Sequence, residues 1–205
     1  VEAGATTGQT ICITAGQGQK AIYIVPGAND LLDSDEVGFA YLGDTRYVHM
    51  SSFVGDSAFS QQLRAARQLP PRVRLSLALD ALYARRGLHA MSGLLARCAL
   101  LFANADELRE LTGLDVRAAA QACLDVGCEA VVVTFGPGRQ WSGHREVIAS
   151  LVVERRRAGH GHETVEHTVP AVRTHDFQVV DTTGAGDAFA AGFLFGVLSR
   201  RYGPA

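Results

Sequence analysis

The chain has 205 residues, of which 47% are hydrophobic and 20% charged, and a formal net charge of -2. That length allows one well-buried α/β domain. The near-neutral balance argues against a nucleic-acid binder that works by bulk electrostatics, and no apolar run approaches the ~20 residues needed to cross a bilayer. Cys12, Cys98, Cys123 and Cys128 form no C-x-x-C pair. They are expected as reduced thiols of a cytoplasmic protein, not as a disulfide or zinc framework. No signal peptide pattern is visible. The chain begins at Val1 in mid-pattern and stops at Ala205 just after a helix, so both ends read as cut.

Residues 1–8 make a loose, polar start. Residues 10–15 and 21–25 are β-rich runs joined by Gly16-Gln17-Gly18-Gln19, which predicts a hairpin. Gly16-x-Gly18-x-x-Ala21 matches a dinucleotide fingerprint in form, but a strand follows it where a helix is needed. Pro26-Gly27-Ala28-Asn29 turns the chain, and Asn29 or Asp30 then caps a helix expected to run to about Gly38. Residues 46–53 read as a strand, and 57–68 as an amphipathic helix stopped by Pro70-Pro71. The next strand, 73–79, ends at Asp80. An acid at that end lies where open α/β sheets place ligands, although a loop cap is its commoner role. A helix over 88–96 and a buried strand over 98–103 follow.

Asn104-Ala105-Asp106-Glu107 opens a helix over 107–112 that Gly113 ends. Asn with Glu three residues on is a capping box by form. Residues 116–126 predict another amphipathic helix, ended by Gly127. Residues 130–134 are continuously apolar, so that strand is central and covered on both faces. Phe135-Gly136-Pro137-Gly138 reads as a turn between strands. Residues 147–154 read as a strand. The polar stretch from Arg155 to His162 is expected as an exposed loop, part of a long loop over 155–175. His160, His162 and His167 have no neighbouring cysteine and no helical spacing, so a solvated loop is preferred to a metal site. The alternation of strands and helices from residue 46 onward predicts a three-layer α/β fold, a mostly parallel sheet with helices on both faces.

The most informative stretch comes near the end. Val179-Val180 leads in as a strand would, Gly184-Ala185-Gly186 bends the chain, and 188–195 continues as an apolar, helix-length run expected to be buried. The first amides of such a helix have no internal partner, and its dipole adds positive potential, so the turn suits phosphate. Asp187 has two readings there. It is an acid favoured by the helix N-terminus, or a general base that takes a proton from a hydroxyl attacking the phosphate. A P-loop is excluded because no Gly-Lys pair exists. A dinucleotide fingerprint is excluded because Phe189 stands where Gly or Ala is required.

Asp181-Thr182-Thr183-Gly184-Ala185-Gly186-Asp187-Ala188-Phe189 resembles the signature of the ribokinase-like (PfkB) family of sugar and nucleoside kinases. The resemblance implies that Asp187 is the catalytic base beside the substrate, with the amides of Gly184, Ala185 and Gly186 as the anion hole. It identifies Asn104 and Glu107 with the N-x-x-E motif that acts near magnesium and the phosphates. Magnesium takes oxygen ligands, often through water. Asp181 and Thr183 would help to bind a monovalent cation, as in some relatives. Thr134, Gly136 and Gly138 would line the ATP site, although the glycines depart from the family's Thr-x-Gly-x-x-Gly-like spacing. Asn29 becomes a substrate-side residue, with helix cap as its other role. Asp80 resembles an acid found after this strand in many relatives.

By the same likeness, residues 10–25 are part of a lid sheet, through which a homodimer would form. The family's first strand, which carries the sugar-binding acid, and its final helices have no counterpart. The expected function is phosphoryl transfer from ATP to a hydroxyl of a sugar or nucleoside, with no nucleic-acid or membrane partner. The rival is a non-catalytic nucleotide- or sugar-binding module, or a degenerate fragment. The missing N-terminal part leads to the expectation that this chain by itself is inactive.

Overall fold

Six strands form one sheet in the computed structural model, which describes residues 4–14, 20–33, 38–143, 146–159, 161–172 and 181–199. They are β3 (Tyr47–Ser51), β4 (Arg74–Ala78), β5 (Cys98–Asn104), β6 (Ala130–Gln140), β7 (Val147–Ala158) and β8 (Gly161–Pro170), and they lie side by side in chain order. β3 to β6 are parallel, while β7 and β8 return antiparallel, so the sheet is mixed. Right-handed crossovers between sequential parallel strands all pass over the same face. That face accordingly holds α2 (Asp56–Gln68), α3 (Ala81–Ala84), α4 (Gly87–Leu95), α5 (Ala105–Thr112) and α6 (Val116–Val126). α7 (Ala185–Leu198) packs on the opposite face.

The helix-bearing face carries the main core. Leu75, Leu77, Leu101, Val131 and Val133 are fully buried there. Each such side chain contributes about 1.5–3 kcal/mol by leaving water. α2 buries Ala58, Phe59, Gln62, Ala65 and Ala66, the stripe that its spacing predicts. Gln62 is not an orphan: it accepts from the Tyr83 hydroxyl at 2.6 Å and donates to the Ser51 carbonyl at 2.8 Å. Cys98, Cys123 and Cys128 are buried and unbridged, and burial pushes the Cys128 thiol up to about 12. No helix among the described residues is long and apolar enough to cross a membrane.

Four expectations are corrected. The exposed loop at 155–162 is instead the end of β7 and the start of β8, paired from Arg155↔Thr164 to Ala158↔Gly161. Polar side chains support this hairpin: Arg156 and His167 both meet Glu154 at 3.0 Å, and Arg117 reaches across to Glu166 at 2.9 Å. β8 is an exposed edge strand, and a polar surface suits an edge. His162 and His167 lie in it, and His160 falls outside the described residues. At the other end, Asn29 does not cap a long helix. It sits inside a single 3-10 turn, Gly27–Leu31, held by the Ala28 amide on the Thr6 carbonyl at 2.8 Å. Residues 34–37 lie outside the described residues, and helix resumes only in the short α1 (Phe39–Gly43).

The turn expected at 135–138 is an irregularity within β6, where pairing with β7 breaks after Thr134 and resumes at Arg139. Gly138 is needed for packing, since a side chain there would run into Val147. Finally, α7 is not buried all round. Ala190 and Gly196 are buried, and Phe189, Phe193 and Leu194 pack on Leu100, Phe102 and Val132. Its outer side is open, with Phe195 67% exposed. The lead-in at Val179 and Val180 is outside the described residues.

β1 (Gln9–Thr14) and β2 (Lys20–Val25) form a separate antiparallel pair, as expected.

Candidate active site

At the C-terminal edge of the parallel strands, three helices begin directly after the strand that precedes them. Gly55, Asp80 and Asn104 are the N-caps of α2, α3 and α5. Helix N-termini carry partial positive charge, so this edge attracts anions. α7 approaches it from the opposite face. Its C-terminal half, at Phe193 and Val197, lines one cleft with Arg74, Ala99 and Ala130, at the other ends of the strands. Its first turn therefore lies toward the strand C-termini.

That first turn is built by the sequence around Gly184. Asp181 Oδ1 accepts from the Thr183 amide at 2.9 Å and the Thr183 hydroxyl at 2.8 Å. Gly184 then takes φ 76°, a left-handed conformation that costs a side-chain-bearing residue energy. The Ala185 amide is committed to the Thr182 carbonyl at 3.1 Å. The amides of Gly184, Gly186 and Asp187 make no hydrogen bond among the described residues, and a Cβ at Gly184 or Gly186 would meet nothing within 4 Å. The turn thus presents donors to open space, with the exposed Asp187 carboxylate in the first helical turn. Of the three amides expected to form an anion hole, those of Gly184 and Gly186 are open and that of Ala185 is not.

Asn104 and Glu107 form the full capping box. Asn104 Oδ1 accepts from the Asp106 and Glu107 amides at 2.9 and 2.8 Å, and Glu107 Oε2 accepts from the Asn104 amide at 2.8 Å. Burial pushes the Glu107 carboxyl up to about 7; the Asn104 amide opposes this, while Asp80 and Asp106 add to it. Asp80 itself caps α3, accepting from the Leu82 and Tyr83 amides. The sequence therefore names the caps at Asp80 and Asn104 correctly. The structure adds that Glu107 is a half-buried acid close enough to Asp80 to feel its charge. No group of three or more acidic, histidine or cysteine side chains among the described residues makes a ready metal cage.

A pH-dependent prediction follows from Glu107. Its folded-state pKa lies above the free carboxyl value of 4.5, so the folded chain keeps a proton that the unfolded chain has lost. The stability it contributes is complete at low pH and is lost as pH rises through about 7. Glu107→Gln keeps the acceptor oxygen of the capping box. Its melting temperature, followed by circular dichroism, should fall less than the parent's between about pH 5 and about pH 8. Equal pH slopes would contradict the shift.

Thr134 is the register partner of Asn104 across β5 and β6, so the two come together at this edge. Gly136 lies beyond Thr134, with φ 57° and open space where a side chain would be. Asn29 is farther out, beside Gly8, in the turn that packs against the start of α2. The sequence reading passed over His49, because one histidine inside a strand forms no pattern. It lies on β3 on the face that α7 covers, bonded through Nδ1 to Ser76 Oγ at 2.9 Å.

The profile of the pfkB family of carbohydrate kinases matches residues 1–202. An "Uncharacterized sugar kinase" from Archaeoglobus fulgidus is 32% identical over 206 residues, covering 98% of this chain and 72% of that protein. Adenosine kinase from Sinorhizobium meliloti superposes with a TM-score of 0.73 at 27% identity, over 96% of this chain and 56% of its own. Ribokinase from Arabidopsis thaliana, solved with ribose and ATP, gives 0.64 at 24% identity, over 96% of this chain and 58% of its own. The chain thus spans just over half the length of these two solved kinases. With its six-stranded mixed sheet, helices on both faces and the turn before α7, the chain belongs to the pfkB family of carbohydrate kinases and has the ribokinase-like fold.

Proposed function

We propose that the protein transfers a phosphoryl group from ATP to a hydroxyl of a sugar or nucleoside. One observation carries this reading: the turn before α7 offers unbonded amides at Gly184 and Gly186, next to the exposed carboxylate of Asp187. Asp187 removes the proton of the attacking hydroxyl. The open amides and the helix dipole receive charge on the transferred group, so that stabilisation comes from preorganised donors. Thr134 and Gly136 line the ATP site. Gly136 fits because nothing fills the space beside it, whereas Gly138 has a packing reason of its own. Asn29 meets the substrate side.

Magnesium, when bound, neutralises the phosphates. Glu107 suits it in part. One carboxylate oxygen serves the capping box, which leaves the other for a metal-bound water. The Asn104 oxygen already takes two amides, so Asn104 would act through its NH2 group, toward water or phosphate. Asp181 and Thr183 fit a monovalent cation at the entry to the turn. If Glu107 acts through magnesium, Glu107→Gln raises the magnesium concentration for half-maximal rate. A purely structural cap would leave the magnesium titration unchanged, since glutamine keeps the oxygen that serves the capping box.

The β1–β2 pair is read as part of a lid. Ile11, Ile13, Tyr23 and Val25 share one face and are all exposed, and Ile22 and Ile24 are exposed on the other. Two apolar faces suit a sheet that covers substrate on one side and meets a second copy on the other. A cytoplasmic setting accords with three buried free thiols. The reading is tested by ADP release from the full-length protein over a panel of sugars and nucleosides. Release that depends on one acceptor class supports it. ATP binding with no acceptor-dependent release would favour a non-catalytic nucleotide-binding module.

A further inference from the structure

We propose that the cavity between the α5–α6 connection and the far end of β6 is an anion site that takes a small phosphate monoester, apart from the turn before α7. The proposal does not depend on the kinase reading.

The cavity has a volume of ≈ 430 Å³, within the ~300–1,000 Å³ range of small-ligand pockets. Arg109 in the last turn of α5, Arg117 in the first turn of α6 and Arg139 on β6 all line it, against one acid, Asp115. Asp115 is engaged as the N-cap of α6. Its Oδ1 accepts from the Arg117 and Ala118 amides at 3.1 and 3.2 Å, and the helix start offsets its charge. Arg109 and Arg117 have carboxylate partners outside the cavity, Asp106 at 3.0 Å and Glu166 at 2.9 Å. Each meets its partner through one nitrogen, Nη1 of Arg109 and Nε of Arg117, so other N–H groups of both remain to donate. Such surface pairs are weak and yield to a stronger acceptor. The Arg139 guanidinium makes no hydrogen bond or ion pair among the described residues. A cleft lined by one sign of charge concentrates the opposite ion.

A second observation points to a ligand. Trp141 lines the same cavity and is 8% exposed, yet its Nε1 is buried with no acceptor among the described residues. Buried donors are nearly always satisfied, and an oxyanion in the cavity would supply the acceptor. The indole ring is otherwise occupied. Phe135 packs on it at 5.2 Å, and the Arg117 guanidinium sits over it at 4.6 Å. It therefore serves as a wall and not as a platform for stacking a nucleobase. Leu114 adds apolar surface beside the cations. Guanidinium forks match phosphate oxygens two at a time. The combination suits a phosphate dianion on a short organic stem. The cavity lies with α5 and α6 on the helix-bearing face, whereas α7 packs on the opposite face.

The test uses the full-length protein and glycerol 3-phosphate, with glycerol and chloride as controls. The readout is the indole N–H signal of Trp141 in proton–nitrogen NMR, assigned by its loss in Trp141→Phe. The signal should shift saturably, with half-saturation below about 1 mM. Glycerol, and chloride at matched ionic strength, should leave it in place. Arg139→Ala should raise the half-saturation concentration about tenfold, the scale of one lost charge-assisted hydrogen bond, and Arg139→Glu should abolish the shift. Arg139 is exposed, so both variants should fold. Gly184→Val should leave the titration unchanged, which separates this site from the turn before α7. The absence of a saturable shift up to about 10 mM, a shift that chloride reproduces, or equal titrations in the parent and Arg139→Glu overturns the proposal. Loss of the shift in Gly184→Val overturns it as well, by placing the ligand at the α7 turn.

Discussion

Asp187→Asn in the full-length protein is expected to lower turnover by about 10³-fold or more, the upper range for removal of a general base. ATP affinity should change little. Asparagine fills the same space and leaves the open amides of Gly184 and Gly186 in place, but it cannot accept the hydroxyl proton. The loss should therefore fall on kcat, with KM for ATP near the parental value. Asp187 is exposed and contributes nothing to the core, so the melting temperature should hold. If Asp187 were only a favourable acid at a helix N-terminus, the variant would keep its turnover and lose about 0.3–1 kcal/mol of stability.

Gly184→Val is expected to lower turnover about 100-fold, the scale set by loss of one preorganised oxyanion donor. At φ 76° the residue occupies the left-handed region, which costs an L-residue about 1–2 kcal/mol and a β-branched one more. The chain can escape that strain only by rotating the backbone at 184, and the rotation turns the neighbouring amides away from the phosphoryl group. No neighbour crowds the position, so the effect is conformational and not steric. A matching Gly143→Val at φ 86°, a turn glycine outside the site, controls for strain alone. It should cost similar stability and leave kcat unchanged. Equal losses of kcat in both variants would show that the turn before α7 has no special role.

The parts of the fold that the sequence made legible are those where local chemistry and tertiary packing agree. Asn104 with Glu107 three residues on announced a capping box, and both reciprocal bonds are present. The apolar run over 130–134 announced a covered central strand, and its first four residues are buried while Thr134 is partly exposed. The errors arose where the two disagree. The stretch 161–170 reads as a loop because its charges and glycine mask Thr164, Val165, Thr168 and Val169. Those β-branched residues are the strand signal, and pairing with β7 turns them into an edge. α7 is apolar all round, a pattern that predicts burial on every side, yet its outer face meets no other described element. In the 27–31 turn, a hydrogen bond to Thr6 overrides the cap preference of Asn29.

The candidate site divides in the same way. Residues within one motif could be read directly, because a turn and a helix start are local. The bond between His49 and Ser76 could not, since it joins two strands 27 positions apart. The commitment of the Ala185 amide, and the orientation of the Asn104 oxygen toward its own helix, also depend on coordinates that no spacing encodes.

The central claim is acceptor-dependent phosphoryl transfer, and phosphorus-31 NMR tests it most directly. Full-length protein is mixed with ATP, magnesium and one acceptor at a time. The account predicts that the γ-phosphate signal disappears as ADP and a single phosphomonoester of one sugar or nucleoside grow together, and that Asp187→Asn abolishes both. ATP consumption at the same rate without any acceptor, yielding only inorganic phosphate, would contradict it.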